Sequence, residues 1–360
     1  MTAGYHAPPQ GGLEFLTDPH WFPYDLDRQT GAIEFVKSPR AIPTTQDFIE
    51  IFAGEKDLPR RSAPAALLRQ ALAPKPARPK LRFIWHTAYC CSTAIAKALD
   101  IPGVNMVVSE PLLLTSVSLA KRQFDRDRRG GDIAWLPDVA FKLLDRAYEP
   151  GVSVTIKASP ASNYLIPDAA LRTSGKMLFL YSDCRSFLLA SMRYGENRRR
   201  YVREIFNTIR SDSTAAPHWS ADQLATLTDL EVAALTWQLQ MMHFADQMRR
   251  YGNRAASLDC DAFLAAPREI TAKIWNFLEL PGDPKQSAAI SDPSFVGKHV
   301  KYPEVAFDLK TRRSEEDSLS PEKRDEIDRI VAASTAMFPQ IANALPLPNP
   351  LASIDKDDRQ

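Results

Sequence analysis

Residues 81–100 read LRFIWHTAYCCSTAIAKALD, an apolar run, a loop of small polar residues and an alanine-rich run, and this order decides the fold. Phe83, Ile84 and Trp85 predict a strand buried on both faces, as in a parallel sheet. Ala94, Ile95, Ala96, Ala98 and Leu99 predict a helix with an apolar face, stopped by Pro102 and Gly103. Between them, His86 to Thr93 would set backbone N–H groups and the hydroxyls of Ser92 and Thr93 at a helix N-terminus. There the unpaired donors and the dipole favour a phosphate or sulfate. The competing reading is an ordinary crossover in which Ser92 or Thr93 merely caps the helix. The loop holds no glycine, so the GxxxxGK[ST] pattern of nucleoside triphosphatases is missing.

Working outward, Gly103 to Val108 (GVNMVV) predicts a second strand that ends on Ser109, Glu110 and Pro111. A carboxylate there would face the crevice at the carboxyl end of the sheet; otherwise Glu110 is a first-turn residue favoured by the dipole of the helix beginning at Leu112. Lys121 to Arg129 reads as a solvated helix and loop, and Trp135 to Tyr148 as a further helix. Val152 to Lys157 (VSVTIK) predicts a strand, leaving Lys157 either as a solvated strand end or as a cation aimed into the crevice. Met177 to Tyr181 (MLFLY) is the most strand-like run, followed by Ser182, Asp183, Cys184, Arg185 and a helix from Phe187 to Met192 that carries Ser191.

Composition sets the class. The chain has 360 residues, 44% of them hydrophobic, enough for a large core in about two domains or one enlarged α/β domain. Lys and Arg number 45 against 44 Asp and Glu, so no global field favours nucleic acid or a membrane surface as partner. Four cysteines (Cys90, Cys91, Cys184, Cys260) make no disulfide framework, and no His/Cys cluster has metal spacing, so no metal is expected. The opening MTAGYHAPPQGG lacks the features of a secretory signal, and no apolar run reaches the roughly 18 residues of a membrane span. A cytoplasmic protein is the expectation.

Residues 1–78 read as an N-terminal extension: a hairpin over Trp21 to Val36 turning at Gly31, short helices over Pro43 to Phe52 and Pro64 to Ala73, and a stiff lead-in with Pro74, Pro76 and Pro79. The main α/β domain is expected over 79–340. It closes with Leu235 to Tyr251 as a long helix, Ala255 to Cys260 as a strand, Pro267 to Leu280 as a helix, and a last helix from Ser320–Pro321 to about Met337. Residues 341–360, Pro-rich and then DKDDRQ, are expected to be a disordered tail.

The order FIWHTAYCCSTAIAKAL, strand and Ser-Glu-Pro, strand and Lys-x-x-Pro, then FLYSDCRSFLLAS, resembles the bacterial branch of the sulfotransferase family over about Leu81 to Lys301. The resemblance implies a three-layer α/β fold like that of the P-loop NTPases, with a central parallel sheet flanked by helices. It also implies 3′-phosphoadenosine 5′-phosphosulfate (PAPS) as co-substrate and a hydroxyl of a small molecule, sugar or peptide as acceptor. On this reading the loop of Thr87, Ala88, Tyr89, Cys90, Cys91, Ser92 and Thr93 holds the 5′-phosphosulfate, and Ser191 with Arg185 holds the 3′-phosphate. The stretch around Gly297, Lys298, His299 and Lys301 closes over the nucleotide. Glu110 matches the position of the carboxylate base, with His86 as second candidate.

The sequence departs from the family's pattern where it would carry Lys or Arg followed by Ser-Gly, because Tyr89, Cys90 and Cys91 stand there. Lys157, His86 or a later basic residue would have to replace that cation, or the protein does not transfer. Ser182 or Asp183 stands near the usual strand-end Arg, and Asp183 is expected to point to Arg185 or a backbone N–H. Cys90 and Cys91 read as small loop residues, with a reactive thiolate or a vicinal disulfide as the less favoured alternatives. Arg193, Arg198, Arg199, Arg200 and Arg203 read as a solvated helix face, and His218 and His243 as structural. Two activities remain: a PAPS-dependent sulfotransferase, or a non-catalytic nucleotide-binding or accessory protein of the same fold. An ATP-using kinase is the weakest reading, for want of a loop lysine after a glycine.

Overall fold

The apolar run at 82–86 is a strand, buried along its whole length, in the middle of a five-stranded parallel sheet. The computed structural model describes residues 12–37, 58–73, 78–127, 133–146, 151–193, 195–213, 216–292, 298–299, 302–306 and 309–352. Its strands are β1 (Trp21–Asp27), β2 (Ala32–Lys37), β3 (Arg60–Pro64), β4 (Arg82–His86), β5 (Asn105–Ser109), β6 (Ser153–Lys157), β7 (Met177–Tyr181), β8 (Ala255–Asp259), β9 (Lys298–His299) and β10 (Tyr302–Ala306). The first helices are α1 (Ala65–Leu72), α2 (Ser92–Leu99), α3 (Leu112–Asp127), α4 (Leu136–Leu144), α5 (Ile166–Arg172), α6 (Cys184–Met192), α7 (Glu196–Ile209) and α8 (Ala221–Thr226). They continue as α9 (Asp229–Tyr251), α10 (Cys260–Ala265), α11 (Pro267–Phe277), α12 (Ala288–Ser291), α13 (Leu309–Asp317), α14 (Pro321–Met337) and α15 (Pro339–Ala342). The expected helix over Pro43 to Phe52, the prolines at 74 and 76, and residues 353–360 of the expected tail lie outside the described residues, whereas residues 341–352 of that tail are ordered, with Leu347 buried and the Leu351 N–H donating to the Ser257 carbonyl of β8 at 2.9 Å.

The strand order is β5-β6-β4-β7-β8. From β4 the chain goes out to the β5 edge, returns to β6, and only then crosses to β7 and β8. Right-handed crossovers along that path send α2 and the helices after β7 to opposite faces. The carboxyl ends of β4 and β7 thus form a topological switch point, where open α/β sheets bind ligands.

The chain divides into two units, residues 1–83 with 100–175, and residues 84–99 with 176–360. In the first, β5 and β6 pair in parallel with Ser109 opposite Lys157. The expected hairpin is there: β1 and β2 pair antiparallel, Gly31 takes the left-handed φ of +72° that the turn needs, and β3 adds to β2. This small sheet packs against α3 and α4, and the Ser116 hydroxyl donates to the Asp25 carboxylate. Gly175, just before β7, is fixed by close approach, because a Cβ there would stand 1.9 Å from the Leu81 carbonyl oxygen.

In the second unit, β7 and β8 pair in parallel, with Tyr181 opposite Asp259. The long helix α9 begins at Asp229, six residues before the apolar run that predicts it, because Thr228 and Glu231 form a capping box. It packs on α6, α7 and α14, and the Trp237 indole N–H donates to the Ser182 carbonyl at 2.8 Å. Among the described residues no helix is long and apolar enough to cross a membrane.

Candidate anion-binding site

The loop between β4 and α2 is fixed by three contacts at its entry. The Thr87 N–H donates to the Leu180 carbonyl of β7 at 3.2 Å, and the buried Gln240 of α9 donates through Nε2 to the Thr87 carbonyl at 3.2 Å. The Ala88 N–H donates to His86 Nδ1 at 3.1 Å, so the proton of this neutral ring sits on Nε2. His86 itself is only 2% exposed.

Beyond that entry the backbone is strained. Ala88, Tyr89 and Cys91 have φ of 72°, 52° and 63°, in the left-handed region where each non-glycine residue costs about 1 kcal/mol or more. Left-handed residues interleaved with ordinary ones build the concave N–H surfaces that bind anions, and α2 opens directly beyond at Ser92. The tertiary contacts on Thr87, with the local bond from Ala88 to the His86 ring, hold a shape that glycine would take without cost.

The cysteines differ from the expectation. Cys91 is bonded to Cys260 at the start of α10, with Cα atoms 5.8 Å apart and a sequence separation of 169. Cys90 and Cys184 stand outside that disulfide, and both are buried. The pairing follows from topology, since α10 follows β8 directly and brings a distant segment to the loop after β4.

The loop carries no Lys or Arg, but an arginine reaches it. The Arg198 guanidinium of α7 lies 5.0 Å from the centroid of the Tyr89 ring, and its Nη1 donates to the Ala190 carbonyl at 2.9 Å. Phe187 packs on the same ring at 5.5 Å. Tyr89 Oη is buried with no hydrogen-bond partner, and burial pushes the phenol up to about 12, with the charge of Arg198 acting against that shift. The arginine group is therefore split: Arg199 and Arg203 pair with Asp229, while Arg198 turns to the loop.

The residues expected at the 3′-phosphate are engaged within the protein. Ser191 is 1% exposed and its hydroxyl donates to the Leu188 carbonyl at 2.7 Å. Arg185 makes ion pairs through Nε with Glu316 of α13 and through Nη1 with Asp328 of α14, so a phosphate would compete with two carboxylates. Asp183 takes the backbone alternative, capping α6 by accepting from the Ser186 N–H at 2.9 Å. Lys298 and His299 form β9, paired with β10, while Gly297 and Lys301 lie outside the described residues.

Glu110 and Lys157 belong to the first unit and find each other there. Lys157, 1% exposed, makes an ion pair with Glu110 Oε1 and lies 3.4 Å from Ser109 Oγ. Glu110 has a φ of 49°, and its N–H donates to the Lys157 carbonyl at 2.6 Å. Lys157 is thus a buried partner of a carboxylate and not a solvated strand end. A cavity of about 460 Å³ in the same unit, walled by Leu26, Ala65, Phe124, Trp135 and Leu136, includes none of the expected site residues.

Gln240 and Arg198 are the contacts that sequence reading missed. The signal for Gln240 was the set of glutamines at 238, 240 and 247 in a helix that is otherwise largely apolar where it is buried. Arg198 has none, because its neighbours in sequence, Arg199 and Arg200, look the same.

No family model matches the chain, and no curated protein matches it. Among solved structures it is similar to the sulfotransferase domain from the curacin biosynthetic pathway, at 12% identity and a TM-score of 0.47 over 76% of this chain and 100% of that one. It is also similar to a sulfotransferase from Alicyclobacillus acidocaldarius, at 13% identity and a TM-score of 0.37 over 74% of this chain and 96% of that one. A third similarity is to the sulfotransferase domain from the Synechococcus PCC 7002 olefin synthase, at 13% identity and a TM-score of 0.39 over 76% and 97% of the two chains.

Proposed function

We propose that the chain is a sulfotransferase-like enzyme that moves a sulfuryl group from PAPS to a hydroxyl of a small molecule, sugar or peptide. The observation that carries this reading is the loop at 87–91, held in a costly left-handed course at the head of α2 and beside β7. Such a course is kept where it serves a ligand. In this role the loop N–H groups, with the Ser92 and Thr93 hydroxyls, bind the 5′-phosphosulfate and stabilise charge on the leaving phosphate. Glu110 takes the proton of the acceptor hydroxyl as its oxygen bonds to sulfur and the sulfur–phosphate oxygen bond breaks. Lys157 holds the Glu110 carboxylate in place. His86, its Nδ1 accepting from the loop, serves better as a loop brace than as a base. Arg185 and Ser191 meet the 3′-phosphate on this reading, Arg185 exchanging its carboxylates for it, and Lys298 and His299 cover the nucleotide.

Titration calorimetry with 3′-phosphoadenosine 5′-phosphate tests the proposal. The wild type binds saturably, and Ser92→Ala with Thr93→Ala weakens binding by about tenfold or more, as loss of bonds to a charged group does. Absence of binding at millimolar nucleotide, or indifference to both substitutions, would overturn it. The second reading, a nucleotide-binding module without transfer, draws on the carboxylates that occupy Arg185 and on the absence of a cation within the loop. Retained binding with no label passed from radiolabelled PAPS to any acceptor pool would favour it.

A further inference from the structure

A doubly charged anion in a largely buried loop needs a compensating charge, which backbone dipoles supply only in part. Residues 87–93 contain no Lys or Arg. We propose that Arg198 and Tyr89 together supply what the loop lacks: Tyr89 Oη donates to an oxygen of the 5′-phosphosulfate end of the nucleotide, and Arg198, stacked on the same ring, brings the positive charge. This rests on the reading of function above and names the electrostatic partner of that site.

Three observations meet here. Tyr89 lies within the strained stretch of loop, at φ 52°, so its side chain belongs to the anion-binding segment. Its hydroxyl is a buried donor with no partner, a group that native proteins rarely leave unmet and that an incoming oxyanion would satisfy. The Arg198 guanidinium covers the ring at 5.0 Å, within reach of cation–π attraction, and its charge is felt at the phenol oxygen. The bond from Arg198 to the Ala190 carbonyl in the last turn of α6 fixes the guanidinium in that position. The charge thus arrives from a helix more than a hundred residues after the loop.

Calorimetry on the full chain tests this with two probes, 3′-phosphoadenosine 5′-phosphate and adenosine 5′-phosphate. Arg198→Gln is expected to weaken both by a similar factor, about 10- to 100-fold. Arg198→Lys should restore part of the loss by keeping the charge, and Tyr89→Phe should cost about tenfold with the melting temperature within a few degrees of wild type. A loss that appears only with the 3′-phosphate present would put Arg198 at the other end of the nucleotide and overturn the proposal. Equal losses in Arg198→Gln and Arg198→Lys, together with a lowered melting temperature, would reduce the pair to packing and overturn it too. If the wild type binds the bisphosphate and both Arg198→Gln and Tyr89→Phe bind like it, this inference fails while the function stands; if the wild type binds neither probe, the function fails first.

Discussion

Lys157 shows what a single buried charge demands. At 1% exposure its ammonium has given up water, a cost of several kcal/mol that only a well-placed partner offsets, and Glu110 is that partner. Glu110→Gln would leave the ammonium facing a neutral amide. Urea unfolding should then show a loss of about 2 to 3 kcal/mol, discounted from a fully buried pair because the Glu110 side chain is 23% exposed. The double change Glu110→Gln with Lys157→Met removes the stranded charge and should recover at least half of that loss. A double variant no more stable than the single one would mean that the pair holds nothing together. Sequence supplied the two residue types and left each with two fates. The parallel register that sets Ser109 opposite Lys157 chose between them.

At the scale of elements, the predictable parts are those whose signals are local. Periodicity, caps and prolines marked β7, α14 and the hairpin β1–β2 closely, and the threonine and glutamate of the α9 capping box were there to be read as well. The link between the loop after β4 and α10 was not, because Cys91 and Cys260 meet only after the sheet has assembled. Closing a loop of 169 residues restrains the unfolded chain by about 5 kcal/mol in the chain-entropy model. Dithiothreitol, or Cys260→Ser, should therefore lower the melting temperature by about 5 °C or more. Thiol titration of the denatured, unreduced protein should count two thiols of the four cysteines. Four reactive thiols would rule the link out.

The whole molecule is nearly neutral, at a formal +1, so any anion site must be local. Binding of the bisphosphate to the folded state alone should stabilise it by about 2.7 kcal/mol at a nucleotide concentration a hundred times its dissociation constant, seen as a raised melting temperature in scanning calorimetry. A melting temperature that stays put at saturation would mean that the folded chain has no site of that kind. The amino-acid sequence by itself determined the α/β class and the strand–loop–helix at 81–100, because apolar periodicity and helix-end chemistry act over a few residues. Only the tertiary structure decided that Arg185 faces Glu316 and Asp328, that Cys91 joins Cys260, and that Arg198 rather than its neighbours reaches Tyr89. Each of these depends on which segments the sheet order brings side by side, and like residues along one chain carry no mark of which will be brought to the site.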